Sequence, residues 1–210
     1  MRIVKAPDVR RAEILETAKA LFTRQGYAGT SVADIVAEAK IAKGTFYYYF
    51  KTKSDVLESL AEQMVNEMVL RASKVAEKPD LTAIEKICGI IMQQNQVKDA
   101  GGDVVAGLHQ VGNKELHDRV AIETVLSLGP VFADVIAQGV RENLFQVDDP
   151  LSTIQFILAG ADFLLGENTF NWTPEEKLAR FEAMFKLIER ALGAAPNTVA
   201  PALQKCLLRH

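Results

Sequence analysis

Apolar residues recur every three or four positions along most of the 210-residue chain, and no run alternates apolar with polar as a half-buried strand must. The fold class this dictates is all-α. Near the N-terminus Ile14, Leu15, Ala18, Leu21 and Phe22 form one stripe that stops at Gly26, predicting a helix from about Asp8 to Gln25. Thr30 then stands where a hydroxyl cap belongs, with Asp34 in the first turn, where a carboxylate suits the helix dipole. A short second helix buries Val32, Ile35, Val36 and Ala39. The turn Lys40-Ile41-Ala42-Lys43 leads to an equally short third helix, Gly44 to Phe50. Thr52 with Asp55 caps a long fourth helix that reaches about Ala76.

Lys78-Pro79-Asp80 interrupts the pattern, and helical periods resume at about 82–98, 103–111, 114–142, 150–166 and 174–192. Pro130 lies inside the third of these and is expected to kink or split it. Thr173-Pro174-Glu175-Glu176 starts the last with a hydroxyl cap, a first-turn proline and a carboxylate at N3, and Gly193 stops it. These boundaries predict a three-helix domain over residues 1–53 and a larger helical domain over 54–193, with 54–76 as the linking helix. A loosely held tail, 194–210, completes the chain.

Charge is unevenly divided. Residues 1–55 hold ten Lys and Arg against six Asp and Glu, while the remainder holds fourteen against twenty-one. One end therefore suits a polyanion and the bulk does not. Cys88 and Cys206 are far apart, exclude a disulfide-rich scaffold and form no metal-ligand spacing, so neither metal nor cofactor is expected. Cys88, flanked by apolar residues, reads as packing rather than as a redox sensor. No apolar segment follows the basic start, and no uncharged run reaches the roughly 18 residues of a spanning helix. The expected setting is the cytoplasm, without a membrane. Glycine-rich phosphate loops, nucleophile elbows and paired histidines on one helix turn are all missing, so no enzyme is expected.

The third helix concentrates the chemistry. It reads Lys43-Gly44-Thr45-Phe46-Tyr47-Tyr48-Tyr49-Phe50 and is followed by Lys51 and Lys53. Three consecutive tyrosines on one helix cannot all face a core. Phenol, ammonium, hydroxyl and helix-terminal amide donors, all partners for phosphate oxygens, are crowded together here. Gly44 lets the backbone approach a groove closely, while Phe46 and Phe50 read as core anchors.

Thr30-Ser31-Val32-Ala33-Asp34-Ile35, followed by Gly44 through Lys53 and by Leu57, resembles the signature of the TetR (tetracycline-repressor-like) family over about Ala12 to Leu57. The resemblance implies an N-terminal helix-turn-helix, a fourth helix leading to a helical dimerisation and ligand-binding domain, and double-stranded DNA as partner. Matched residue by residue, it implies that Lys43, Gly44, Thr45 and Tyr47 face the groove, with Lys43 and Tyr47 against bases or phosphates. Thr45 and Tyr49 would meet phosphates, and Tyr48 the sugar-phosphate backbone. Thr30, Ser31 and Lys53 would clamp phosphates on either side. Two positions depart from the family pattern. Lys40 stands where glycine often makes the turn and is expected to be left-handed or to change it. Ala42 replaces a capping serine, at a cost of about 1 kcal/mol of helix stability. The basic start, Arg2, Lys5, Arg10 and Arg11, reads as a solvated arm that a minor groove could take.

Segment 150–166 is apolar almost all round and 174–192 carries a broad apolar stripe, more than one protomer covers easily. A twofold partner solves this by pairing Ile154, Ile157, Leu158, Ala161 and Leu165 with Phe181, Met184, Phe185 and Ile188 in an intermolecular four-helix bundle. A homodimer in turn implies a palindromic operator. Met92, Leu108, Phe132 and Ile136, with the isolated polar residues His109, Gln110, Asn113 and Asp162, are the candidates for an effector pocket. The functional expectation is a sequence-specific transcriptional regulator, a repressor released by a small, largely apolar effector. The alternative is a chromosome-organising DNA-binding protein on the same scaffold.

Overall fold

The computed structural model describes residues 7–166 and 170–207, among which there are ten helices and no strand. They are α1 (Pro7–Gly29), α2 (Val32–Glu38), α3 (Lys43–Tyr49), α4 (Lys53–Ala76), α5 (Ala83–Ala100), α6 (Gly102–Leu108), α7 (Lys114–Arg141), α8 (Pro150–Leu165), α9 (Pro174–Ala191) and α10 (Ala200–Leu207). Arg2 and Lys5 lie outside the described residues. The chain divides into two compact units, residues up to Met64 with Lys98–Asp118, and Val65–Val97 with Arg119 onward. The helix α6, read from sequence as part of the larger domain, thus groups with α1.

In the first unit the predicted stripe of α1 is buried as a whole: Ile14, Leu15, Ala18, Leu21 and Phe22 are shut from solvent. Each large apolar side chain so buried contributes about 1.5–3 kcal/mol. Gly26, at φ 75 and ψ 159, breaks the helix where the sequence places its end, but the chain then turns once more to Gly29. That conformation is open to glycine alone at no steric cost. The added turn brings Tyr27 edge-on to Phe22, 5.2 Å between centroids. α6 packs on α1 at Gly107, where a Cβ would lie 3.1 Å from Leu57 and 3.2 Å from Tyr27. A larger residue would push the helices apart.

In the second unit the carbonyl end of α4 and the start of α5 are tied together by a buried lysine. Lys86 donates to the Ala76 carbonyl at 2.6 Å and to Gln138 Oε1 at 2.7 Å. Glu142 accepts from the Ala83 amide at 3.0 Å, so α7 closes the same corner. α7 runs through Pro130 without being split. Pro130 and Leu126 both lie on the exposed side, so the carbonyl that loses its intrahelical donor is on the solvent face of the helix. By length and composition α7 is apolar enough to cross a membrane, which the sequence reading missed because Glu123 and Asp134 interrupt every uncharged run. Here it buries Leu128, Phe132, Val135 and Ile136 within its unit.

The tail is not loose. α10 packs on α9, with Val199 and Leu203 buried beside Leu192. Its start is capped from outside by Glu189, whose carboxylate accepts from the amides of Asn197 (2.9 Å), Thr198 (3.0 Å), Val199 (2.9 Å) and Ala200 (2.9 Å). No local signal marked this helix, because its cap lies eight to eleven residues back along the chain. The amides of Ala200 and Asn197 foremost, with those of Val199 and Thr198, hold the Glu189 carboxyl below its ordinary value. A depressed carboxylate stabilises the fold above its unfolded value of about 4.3, and that contribution is lost as pH falls through the folded value. Glu189→Ala should therefore raise amide exchange in residues 197–207 and leave α1 to α3 unchanged. Acidifying the wild type below the carboxylate range should do the same; unaltered exchange in the variant would mean that apolar packing alone holds α10.

Candidate nucleic-acid interface

The helix-turn-helix is assembled from α2, the turn and α3. Ser31, rather than Thr30, caps α2: its Oγ accepts from the Asp34 amide at 3.2 Å while Asp34 Oδ2 accepts from the Ser31 amide at 2.8 Å and from its hydroxyl at 2.7 Å. The Ser31 donors hold the Asp34 carboxyl below its ordinary value. Thr30 is buried instead, its hydroxyl donating to the Gly26 carbonyl at 2.8 Å. Its side chain is spent inside the fold and is not available to a phosphate, contrary to the sequence reading. The carbonyl of the glycine break takes the hydroxyl one residue early.

The turn behaves as its residues dictate. Lys40 takes the left-handed conformation, φ 52, expected of the position where glycine is usual. Ala42 caps α3 with no side-chain hydrogen bond. The short helix is held by burial: Phe46 and Phe50 are enclosed, their rings 5.9 Å apart. The other face looks outward. Tyr47 is 48% exposed and Tyr48 77%, while Tyr49 is half-buried edge-on to Tyr48 at 4.9 Å. Lys43 and Gly44 are exposed and Thr45 half-buried. The Lys43 ammonium lies 5.9 Å from the Tyr47 ring centre. Between α2 and α3 opens a cleft of about 480 Å³, its floor formed by Val32, Val36, Ala37 and Ile41 and its rim by Lys40, Lys43 and Tyr47. α2 itself carries no Lys or Arg; Lys40 in the turn, Lys43 on α3 and Lys51 just after it are exposed, and Arg24 of α1 pairs with Glu38 of α2 at 3.5 Å.

At the start of α4, Asp55 accepts from the Lys51 amide at 2.9 Å and pairs with the Thr52 hydroxyl, as the capping reading requires. Lys53 departs from expectation. Its ammonium donates to the carbonyls of Tyr27 and Thr30, 2.6 Å each, and sits 4.1 Å from the Tyr27 ring centre. Burial pulls its pKa below the ordinary lysine value, against the opposing pull of Asp34. In the DNA-free protein this ammonium is thus bound to the backbone at the end of α1, where the sequence reading had it free for a phosphate. Two arginines of the supposed arm are likewise engaged: Arg10 pairs with Glu13 at 2.7 Å, and Arg11 donates to Ser59 Oγ at 2.8 Å with its guanidinium 5.3 Å over Phe50.

The effector candidates fall in both units. Leu108, His109, Gln110 and Asn113 belong to the first unit, Met92, Phe132, Ile136 and Asp162 to the second. Leu108, Phe132 and Ile136 are buried, Gln110 is half-buried, and Met92 and Asp162 are exposed. Asn113 is buried, but its amide is committed to the Gly107 carbonyl at 2.7 Å. His109 stacks obliquely on His117, 4.9 Å between centroids. Sequence reasoning missed Gln94, buried in the second unit with Nε2 donating to the Met68 carbonyl at 3.1 Å and Oε1 without a hydrogen bond among the described residues. Helix periodicity alone marks such a residue only as a polar break in an apolar stripe. The Cys88 thiol, raised to about 12 by burial and by the neighbouring Cys206 thiol, is held in its unreactive form.

The side chains expected to face a twofold partner are covered to different degrees within the protomer. Ile154 and Phe185 are buried within the protomer, and Ile157, Leu158, Ala161, Leu165, Phe181, Met184 and Ile188 are half-buried. The large apolar side chains of α8 and α9 left in solvent are Phe156 (81%), Leu187 (63%) and Phe163 (61%), with Leu151, Leu164 and Leu178. Beside them Phe163 meets Phe170 edge-on, Phe170 stacks on Trp172, and the Arg180 guanidinium lies 3.2 Å above the Trp172 ring.

Known proteins share this arrangement. Residues 14–60 match the family described as bacterial regulatory proteins, tetR family, and residues 97–188 the tetracyclin repressor-like C-terminal domain. The HTH-type transcriptional regulator YfiR of Bacillus subtilis (strain 168) is 34% identical over 155 residues, 70% of this chain and 73% of that protein. The HTH-type transcriptional repressor KstR2 of Mycolicibacterium smegmatis is 25% identical over 147 residues, 68% of this chain and 70% of that protein. In fold, the chain is similar to RolR solved with resorcinol, with a TM-score of 0.63, 18% identity and coverage of 96% of this chain and 94% of that one. The chain belongs to the TetR family of bacterial regulatory proteins and is a helix-turn-helix, DNA-binding regulator of transcription.

Proposed function

We propose that this regulator is a repressor that binds a palindromic operator as a homodimer and leaves it when a small, largely apolar effector binds. The observation that carries the reading is the outward face of α3, where Tyr47, Tyr48, Lys43 and Gly44 stand in solvent although Phe46 and Phe50 of the same helix are enclosed. An isolated helix of seven residues gains nothing from exposing phenols beside ammoniums, and a groove rich in phosphate and base acceptors takes them. Lys43 and Tyr47 are assigned to bases or adjoining phosphates, Ser31, Thr45 and Tyr49 to phosphates, and Tyr48 to the sugar-phosphate backbone.

Dimerisation is supported by the apolar side chains left bare on α8 and α9, which exceed the scattered exposure of a monomer. The repressor reading draws on KstR2, described as a transcriptional repressor, and the effector reading on RolR, solved with resorcinol. In the second unit the effector is assigned to the buried Phe132 and Ile136 and to Gln94 Oε1, a buried acceptor without a hydrogen bond among the described residues.

Selection of randomised duplexes on the full chain should yield two inverted half-sites with centres about one helical turn apart. Asymmetric single sites would sink the operator reading. Tyr47→Ala and Lys43→Ala should each weaken binding to the selected duplex about tenfold or more while the variants still elute as dimers. Phe156→Glu should instead shift the sizing-column profile to the monomer, and a Phe156→Glu variant that stays dimeric would place the pairing surface elsewhere.

A further inference from the structure

Two cysteines far apart in the sequence are neighbours in the fold. Cys88 lies on α5 and Cys206 in the last turn of α10, both within the second unit, and their thiols are hydrogen-bonded to each other. Neither is sealed in the core; each keeps part of its surface in solvent. On α5, Ile87 and Ile90 are buried on either side of Cys88. On α10, Leu203 is buried and Cys206 follows it by three residues, so the face that docks the helix carries the thiol inward with it. The Glu189 carboxylate fixes the other end of α10 through the amides of Val199 and Ala200.

A lone thiol among apolar residues is packing. Two thiols in contact on separate helices are the reactants of a disulfide. Hydrogen-bonded sulfurs stand farther apart than the roughly 2.05 Å of that bond, and rotation about the two Cα–Cβ bonds, with a small movement at the end of α10, closes the rest. We propose that Cys88 and Cys206 form a redox modification site: a hydroperoxide oxidises the pair to an intramolecular disulfide that staples α10 to α5.

The two thiols take different parts in the reaction. Burial first, then the hydrogen bond and charge of Cys206 and the charge of Glu85, raise Cys88 to about 12, so Cys88 is not the thiol that attacks the oxidant. That step falls to Cys206. Its sulfur attacks one peroxide oxygen, the O–O bond breaks, and the other oxygen leaves as water with the thiol proton, giving a sulfenic acid. The Cys88 sulfur then attacks the Cys206 sulfur, the S–O bond breaks, and the hydroxyl leaves as water with the Cys88 proton. Two thiols are oxidised, one peroxide is reduced and two waters are released. The first step also removes the charge with which Cys206 helped to hold the Cys88 proton, which eases the second. Thiol reductants reverse the bond by exchange.

Peptide mapping tests this on the wild-type protein, reduced, freed of reductant, exposed to hydrogen peroxide, alkylated and digested with trypsin. Mass spectrometry should find the peptide Ile87–Lys98 joined to Cys206–Arg209, lighter than their sum by two hydrogens and separated by dithiothreitol. The bond should form several-fold faster in the native protein than in the same protein unfolded in urea. Cys88→Ser should accumulate a Cys206 sulfenic acid that dimedone traps, while Cys206→Ser should leave Cys88 untrapped under the same exposure. Thiols that both remain open to alkylation, a disulfide formed only between chains, a bond that forms as fast in urea, or dimedone found on Cys88 in Cys206→Ser would each overturn the proposal. The first three outcomes are read on the wild type, so the test stands even if a variant fails to fold.

Discussion

Everything the reading head presents to solvent depends on two phenylalanines being enclosed. α3 has seven residues and no side-chain cap, too little to be helical alone in water. Burial of Phe46 and Phe50, one turn apart on the same face, supplies what the missing cap does not, and the Arg11 guanidinium closes over Phe50 from α1. Once that face is committed, helical geometry leaves Gly44, Tyr47 and Tyr48 on the other side. The exposed phenols are a consequence of where the two benzyl groups go.

The polar bonds of the first unit serve the same end. The Ser31–Asp34 box starts α2, the Thr52–Asp55 pair starts α4, and Arg11 and Lys53 bridge helices at each side of them. Each cation was read from the sequence as available to DNA, and each is turned inward onto a hydroxyl or a carbonyl. On or near α3, Lys40, Lys43 and Lys51 stay exposed.

Where the sequence reading and the structure part, the cause is the same each time. Thr30 and Ser31 are both hydroxyl residues beside a helix start, and only the Gly26 carbonyl, one turn back across the break, decides which of them caps. α10 is invisible to local rules because Glu189 caps it from the preceding helix. On α8 and α9 periodicity identified helices with broad apolar surface, but it did not show that Ile154 and Phe185 would be buried within the protomer while Phe156, Phe163 and Leu187 are left bare. Asp162, expected to be buried because it interrupts an apolar helix, lies on the exposed side.

The order of types along the chain was enough to determine the helical class, the proportions of the three-helix head and the uncapped start of α3, and it narrowed Lys40 to two turn conformations. All of these follow from interactions within about one turn of the residues concerned, and spacing records them. Only the tertiary structure decided the direction of Lys53 and Arg11, the partner of Thr30, the docking of α10 and which apolar side chains stay in water. Those outcomes turn on atoms brought together from distant positions, here 23 to 48 residues apart for the two cations. A long, flexible ammonium or guanidinium takes the nearest unsatisfied acceptor, and which acceptor is nearest is a property of the packed fold.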